Sequence, residues 1–222
     1  MAVKWKEFES YIKPDMTGCP RKVVADAARR AAIEFCEETQ LWEMVSEPSA
    51  IIGGHAVYTP DAPDDAEVTA IIKAVFVRRD EQGNELSRTE LQPLNDSDLS
   101  RMGNWESLKD RAPRYYRTYE PARVQLIPAP TETLTDALVM TVAVKPAHNA
   151  KTCPQFLLSS HAAAIGFGAK RDLASIPNKT WSNLGKVDSY RREFQNKINM
   201  SRRNKNTANS RKSLRVQAIR FI

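Results

Sequence analysis

The chain has 222 residues, 41% of them hydrophobic, and a net charge of +6, which suffices to bury the core of one large domain or of a domain with an insertion. No apolar run approaches the roughly 20 residues of a membrane span, and the N-terminal "MAVKWKEFES" lacks the apolar core of a signal peptide, so we expect a protein without a membrane anchor in a reducing compartment. Cys19, Cys36 and Cys153 form no CxxC pair, which argues against a zinc site and favours reduced packing residues.

The charge is divided unevenly along the chain. From Arg191 to Ile222 there are ten Lys or Arg residues and one acid, Glu193. This segment therefore carries +9, and residues 1–190 carry −3. A mildly acidic body with a strongly basic end is typical of a protein with an interaction arm.

The first fifty residues have a helical pattern. Residues 5–12 predict a short helix that Pro14 stops, and Pro20 suits the start of a second helix. Apolar residues of this second helix recur at steps of three, four and seven, and they are Val24, Ala27, Ala28, Ala31, Phe35 and Trp42. The spacing predicts an amphipathic helix of about twenty residues.

Beyond Pro48 the hydrophobic period changes from helix to strand. "AEVTAIIKAVFVRRD" is rich in β-branched residues and ends at the turn signal "DEQGN", after which "ELS" is the expected pairing partner. "RYYRTY", "RVQLIP" and "ALVMTVAVKP" predict further strands, and in the last of them Leu138, Met140, Val142 and Val144 share one face. Between the strands, "NDSDLSRM" predicts a short helix with Asp96 or Ser97 at its start.

Helical signals return at Pro154. "QFLLSSHAAAIGFGAKRDLA" contains Gly166 and Gly168, each of which costs a helix roughly 1 kcal/mol, so this helix is expected to pack closely against a neighbour. Trp181, Leu184, Val187, Phe194 and Ile198 mark a last amphipathic helix. The expected fold class is α+β: a helical bundle formed by residues 1–49 and 148–203, a β-rich insertion over 50–147, and an extended C-terminal arm over 204–222.

No pattern for catalysis or for cofactor binding is present in the sequence. There is no phosphate-cradling Gly-rich loop, no HExxH and no GxSxG, and His55, His148 and His161 share no ligand spacing. We therefore predict no catalytic residue, no metal, no cofactor and no enzymatic activity. The segment from residue 114 to residue 119 contains Arg114, Tyr115, Tyr116, Arg117 and Tyr119. It could form a surface on which nucleic-acid bases stack, or a strand with half-buried tyrosines. We favour the strand.

The arm combines a basic leash with apolar anchors. The cations assigned to the leash are Arg202, Arg203, Lys205, Arg211 and Lys212, and the anchors are Leu214, Val216, Ile219, Phe221 and Ile222. Ordering the backbone from residue 205 onward costs more free energy than burial of the anchors returns, so we expect the arm to be disordered until it meets a partner. Leu214, Val216 and Ala218 alternate as in a strand, which favours addition to another protein's sheet edge. The alternative is a basic tail that binds nucleic acid nonspecifically.

Over about residues 5–200 the sequence resembles the head-to-tail adaptor (connector, or tail tubular A-like) proteins of tailed bacteriophages, particularly short-tailed ones. The stretches that carry the likeness are "GCPRKVVADAARRAAIEFCEETQLW", "APRYY", "RVQLIPAP", "VAVKPA" and "FLLSSHAAAIGFGAKRDLASIPNKTWSNLGKVDSYRREFQNKI", in this order. The very basic residues 202–212 are less typical of that family.

The resemblance implies a structural virion protein of the head-tail neck, assembled in the host cytoplasm. Twelve copies would form a ring below the portal protein, extend the channel through which genomic DNA passes, and offer a platform to the tail nozzle and tail fibre proteins. The C-terminal arm would lie along the portal, and Ala162, Ala164, Gly166 and Gly168 would allow close packing between neighbouring subunits. The alternative function is a nucleic-acid-binding module that uses the basic C-terminal tail.

Overall fold

The structure is a computed structural model that describes residues 2–80, 82–120 and 122–207, and its fold class is α+β. The five α-helices of these ranges are α1 (Glu9–Ile12), α2 (Arg21–Thr39), α3 (Asp96–Arg101), α4 (Gln155–Ala174) and α5 (Leu184–Asn206). The strands before α3 are β1 (Ala2–Lys4), β2 (Glu43–Val45), β3 (Ser49–Ile51), β4 (Val57–Tyr58), β5 (Ala66–Arg79), β6 (Glu85–Glu90) and β7 (Gln92–Pro93). Those after it are β8 (Lys109–Asp110), β9 (Tyr115–Glu120), β10 (Arg123–Ile127), β11 (Ala129–Pro130), β12 (Leu134–Pro146) and β13 (Thr152–Pro154). No helix within the described ranges is long and apolar enough to cross a membrane.

Helix α2 has the predicted apolar face. Val24, Ala27, Ala28, Ala31 and Phe35 are all fully buried. The helix ends at Thr39, and the cap residue Gln40 takes a left-handed conformation (φ 50°) and donates its N–H to the Cys36 carbonyl at 2.8 Å. Trp42, predicted on the same face, lies beyond this end and packs instead against the strands.

The other helices differ from the predictions at their ends. The first helical segment is a 3-10 turn over Trp5–Phe8 followed by the single α-turn of α1. Asn95 caps α3, one residue before the predicted start, because its side chain accepts the Asp98 N–H at 2.9 Å in a capping box. Helix α5 starts after Trp181 and runs three residues past the predicted boundary at 203.

The strands form two larger sheets. One has the order β2-β12-β5-β6, with β3 also paired to β12, and the other has the order β4-β10-β9-β7. The predicted hairpin is confirmed: β5 and β6 pair antiparallel, and the Asp80 carboxylate holds the turn by accepting the Asn84 N–H at 2.7 Å. The predicted shared face of β12 is also confirmed, since Leu138, Met140, Val142 and Val144 are all fully buried.

The boundary predicted at residue 49 does not separate helices from strands. β2 begins at Glu43 and pairs with β12, and β1 pairs with β13 at the start of the C-terminal helices. These short 3-residue strands have no alternating apolar pattern that would mark them in the sequence. They are defined by backbone pairing with distant segments of the chain.

Two apolar clusters make up the core. The first joins the 3-10 turn Trp5–Phe8 to α1, α2, α4 and α5, and it includes Phe8, Phe35, Leu157 and Phe194. The second lies among the strands and includes Phe76, Leu126, Leu138 and Met140. Polar contacts link the elements around these clusters. Arg171 of α4 donates two hydrogen bonds to the Glu34 carboxylate of α2, at 2.8 and 2.6 Å. Lys145 of β12 reaches Glu37 of α2 at 2.6 Å.

Three helices approach one another closely at Gly168 of α4. A Cβ atom there would lie 2.8 Å from the Ala31 Cβ of α2 and 3.1 Å from the Phe194 ring of α5. A second glycine of the same helix, Gly166, faces Tyr11, whose Cβ would be 3.2 Å away. The helix keeps two glycines because three elements of its own chain press against it there.

We expect Gly168→Ala to destabilise the protein by roughly 1–3 kcal/mol, because the clash with Ala31 outweighs the gain in helix propensity. The matched control is Gly185→Ala in α5, where the nearest atom to a new Cβ is the Asn183 Oδ1 at 3.7 Å; we expect that variant to be at least as stable as the parent. Urea unfolding measures both. Equal stability of the two variants would contradict the close packing of α4.

Candidate functional site

The structure places three cations of the predicted leash in the last turns of α5 rather than in an extended segment. Arg202 donates hydrogen bonds to the carbonyl and the carboxylate of Glu38 in α2. Lys205 contacts the Gln40 carbonyl at 2.5 Å and the Glu43 carboxylate of β2 at 2.7 Å. Arg202 and Lys205 therefore belong to the folded body, and the leash as predicted from residue 202 onward is corrected to begin no earlier than residue 207.

We call the contacts of Arg202 and Lys205 with α2 and β2 the clamp. The C-terminal end of α2 gives the physical reason for these contacts. The last carbonyls of an α-helix have no intrahelical partner and form the negative end of its dipole. Arg202 and Lys205 satisfy two such carbonyls, at residues 38 and 40 of α2 and its cap. The sequence "SRRNKN" contains good helix formers, so α5 extends as far as these partners reach.

The clamp fixes the place where the chain leaves the described body. Thr207 is the last described residue, two positions after Lys205, which contacts β2. β2 is an outer strand of its sheet, and Val45 in it is 61% exposed. The last described residues therefore lie beside a sheet edge. The remaining predicted site residues, Arg211, Lys212, Leu214, Val216, Ile219, Phe221 and Ile222, lie outside the described residues.

The small residues of α4 were expected on the surface, at a contact between subunits. The structure places them inside the chain instead. Ala162, Ala164, Gly166 and Gly168 are all buried within one chain. The two glycines face Tyr11, Ala31 and Phe194 of that same chain.

The tyrosine strand β9 does not present a row of free rings. Tyr116 is buried in the sheet core, Tyr115 is half-buried, and Tyr119 is 41% exposed. The Arg117 guanidinium lies between Tyr119 and Trp105, 5.4 and 5.2 Å from their ring centroids. Half-buried tyrosines, the favoured interpretation, describe this strand better than a base-stacking surface. No sequence pattern pointed to Trp105, which reaches Arg117 from a separate turn.

Burial shifts the pKa values of three groups in the helical core, Cys36, Cys153 and His161, in the direction that favours their neutral forms. Burial raises the pKa of Cys36 to about 12, with Cys153 adding to the effect, and burial raises the pKa of Cys153 to about 12 as well. Burial lowers the pKa of His161, which packs against the rings of Phe35 and Phe156 at 5.0 and 6.1 Å. Among the residues that the structure describes, no group of three His, Cys, Asp or Glu side chains could hold a metal ion.

No protein-family model matches the sequence, and no curated protein matches it significantly.

Removing the clamp should loosen the end of α5. We expect Arg202→Gln with Lys205→Gln to speed amide hydrogen exchange over residues 201–207 and to cost at most about 1 kcal/mol of overall stability, because the pairs are partly exposed. The control is Arg203→Gln, since Arg203 is exposed and has no carboxylate within 4.0 Å among the described side chains. Unchanged exchange in the double variant would show that the clamp does not hold this end.

The raised pKa values predict unreactive thiols. With a pKa near 12, only about one Cys36 or Cys153 side chain in 10⁴ is a thiolate at pH 8. In a Cys19→Ser background, a disulfide reagent should label neither thiol of the folded protein and both after unfolding in urea. Rapid labelling of the folded protein would mean that these thiols are accessible and their pKa values ordinary.

Proposed function

We propose that this protein is a structural adaptor that forms a ring in the neck of a tailed phage virion, below the portal protein. The observation that carries the proposal is the clamped end of α5, which is followed, after the mostly polar residues 207–213, by a segment with five large apolar residues between Leu214 and Ile222. A firmly held exit point beside a sheet edge suits an arm that binds another protein. The family resemblance over residues 5–200 supports the same function.

Under this proposal the body is a helical bundle made by both ends of the chain, with the strands as an insertion. The contacts between α2, α4 and α5 support the bundle. The bundle faces the portal, and the β-rich part faces the tail nozzle and fibre proteins. The channel enclosed by the ring carries the genomic DNA. The protein acts by position and shape rather than as an enzyme.

Ring closure requires two different surface patches that fit each other, because a heterologous contact repeats head to tail. The five-stranded sheet offers such a pair at its opposite edges. β6 is exposed along all six residues, with Leu86 68% exposed, and β2 carries the exposed Val45 at the other edge. Unpaired edge strands readily add strands from another chain. These edges therefore replace the small residues of α4 as the proposed subunit contacts.

The arm is proposed to reach the portal. From Thr207 to Ile222 the chain can extend about 50 Å, at about 3.3 Å per residue. Alternating Leu214, Val216 and Ala218 fit addition to a sheet edge, where main-chain hydrogen bonds supply affinity and the side chains supply specificity. The cations Arg211 and Lys212 would raise the rate of encounter with an acidic partner surface.

One observation favours a second candidate function, a nucleic-acid-binding module. Lys186, Arg192, Lys197 and Arg203 of α5 have no carboxylate within 4.0 Å in the part of the chain that the structure describes. They continue into the basic segment that follows. Binding driven by such cations to phosphates weakens steeply with salt, whereas apolar strand addition does not.

We expect Val216→Asp with Phe221→Asp to weaken binding to the purified portal of the same phage by up to several hundredfold. Removing each anchor costs about 2 kcal/mol of binding free energy. The comparison variant, Arg211→Gln with Lys212→Gln, should slow association and reduce its salt dependence while changing dissociation less. The measurement is binding kinetics at two salt concentrations.

If the double Asp variant binds like the parent and the Arg211 and Lys212 variant fails, charge rather than the apolar segment makes the contact. If both variants bind like the parent, the portal contact does not involve Arg211, Lys212, Val216 or Phe221. Circular dichroism of each variant confirms that the body stays folded.

A further inference from the structure

A groove lined by cations lies beside the N-terminal half of α2, far along the chain from the basic C-terminal end. It has a volume of about 390 Å³, and its charged wall residues are Lys4, Lys6, Lys22, Asp26, Arg29 and Lys151. A second cleft of about 480 Å³ shares Lys6 and Lys22 with it and adds Arg21, Glu7 and Glu9. The two clefts therefore form one continuous surface, which we call the lysine groove.

Three separate segments bring these side chains together. β1 pairs with β13, so that Lys4 lies opposite Thr152 and next to Lys151. The indole N–H of Trp5 donates to the Ala150 carbonyl at 2.9 Å, which holds the N-terminal segment against the loop before β13. Residues 22, 25, 26 and 29 follow at helical spacing along one face of α2. The pairing of chain segments some 145 residues apart creates the groove.

The lysines of the groove lack acidic partners. Lys4, Lys6, Lys22 and Lys151 have no carboxylate within 4.0 Å in the ranges that the structure covers. Of the three acids of the groove, Asp26 pairs with Arg29 at 3.0 Å, Glu9 is shared by Lys13 and Arg21, and Glu7 has no cation within 4.0 Å among the described side chains. Against these three acids stand six cations, Lys4, Lys6, Arg21, Lys22, Arg29 and Lys151, so the groove keeps a net positive charge. This concentration of free positive charge occurs in a body, residues 1–190, whose net charge is −3. Such local focusing attracts anions to one place on the surface.

We propose that the lysine groove binds the sugar-phosphate backbone of duplex DNA without reading its sequence. From Lys22 to Arg29, α2 rises about 10 Å along its axis, and an equal length of duplex axis carries about six phosphate charges, at ~1.7 Å per charge. Lysine ammonium groups bind phosphates as point charges. Trp5 is only 5% exposed, so its ring is not free to stack on an unpaired base, and a duplex fits better than a single strand.

An acidic protein segment fits the groove less well. Protein partners are held mainly by side chains that enter well-packed apolar pockets. The apolar wall of the groove consists of Ala25, Ala150 and the covered edge of Trp5. These residues offer no pocket for an anchor, so that only charge attraction would hold such a segment.

The proposed DNA contact goes beyond the adaptor function, because it assigns binding to the body rather than to the arm. It does not depend on portal binding. A contact of this kind would let each subunit touch DNA in a channel, but the groove binds DNA whether or not a ring forms.

The test is fluorescence anisotropy of a labelled DNA duplex of mixed sequence with the full chain at several salt concentrations. The groove variant is Lys6→Gln, Lys22→Gln and Lys151→Gln. The control removes the same charge elsewhere, through Arg101→Gln, Lys109→Gln and Lys179→Gln, three exposed cations without a carboxylate within 4.0 Å in the described structure. Thermal unfolding checks that both variants remain folded, and portal binding is measured in parallel.

We expect the groove variant to bind DNA roughly tenfold more weakly or worse at low salt. The slope of log affinity against log salt should fall by about 2.7, or about 0.9 for each phosphate that is no longer neutralised. The control should bind DNA like the parent, and both variants should bind the portal normally.

Three outcomes would overturn the proposal. If the groove variant and the control lose the same DNA affinity, the net charge of the protein and not the groove accounts for binding. Unchanged binding by the groove variant would assign DNA binding to α5 or to residues 208–222. Binding of polyglutamate as tight as that of DNA would identify an acidic protein as the ligand instead. Failure of portal binding alone would count against the adaptor function and not against the groove.

Discussion

The close approach of α2, α4 and α5 at Gly168 is the contact on which the rest of this structure depends. It brings Ala31 from the first quarter of the chain against Phe194 from the last, with no room for a side chain between them. Because α2 and α5 are both packed against α4 in this way, the strands between residues 43 and 154 must leave the helices and return to them. The same contact lays the end of α5 over the end of α2, where Arg202 and Lys205 find free carbonyls.

Helix α2 then separates two surfaces with different chemistry. Its C-terminal end holds the clamp from which residues 208–222 depart, and its N-terminal half forms a wall of the lysine groove. From Lys22 to Glu38 the helix spans about 24 Å. One rigid element thus sets the distance between a proposed protein-binding arm and a proposed DNA contact. In the proposed ring, this spacing would keep the portal contact away from the path of the DNA.

Local patterns in the sequence predicted the long helices and strands. They did not predict where distant segments of the chain meet. The apolar face of α2, the β5–β6 hairpin and the inward face of β12 follow from periodicity and turn residues, because each depends on neighbours in the chain. The sequence predicted one part of the role of Gly168, since the cost of a glycine in a helix indicated close packing. It did not predict the partner, which is Ala31 and Phe194 of the same chain rather than a second subunit. The lysine groove could not be predicted, since Lys22 and Lys151 become neighbours only through the pairing of β1 with β13. The clamp could not be predicted for the same reason: Arg202 and Lys205 were assigned to the basic leash, whereas they satisfy carbonyls of α2 and its cap.

Electron microscopy of the protein bound to its portal tests the central claim of the proposed function most directly. The adaptor account predicts a closed ring below the portal, with sheet edges of neighbouring copies in contact and density for residues 213–222 lying along a portal subunit. Isolated subunits that do not touch one another, or a complete ring attached to the portal through the body with no contribution from residues 213–222, would contradict it.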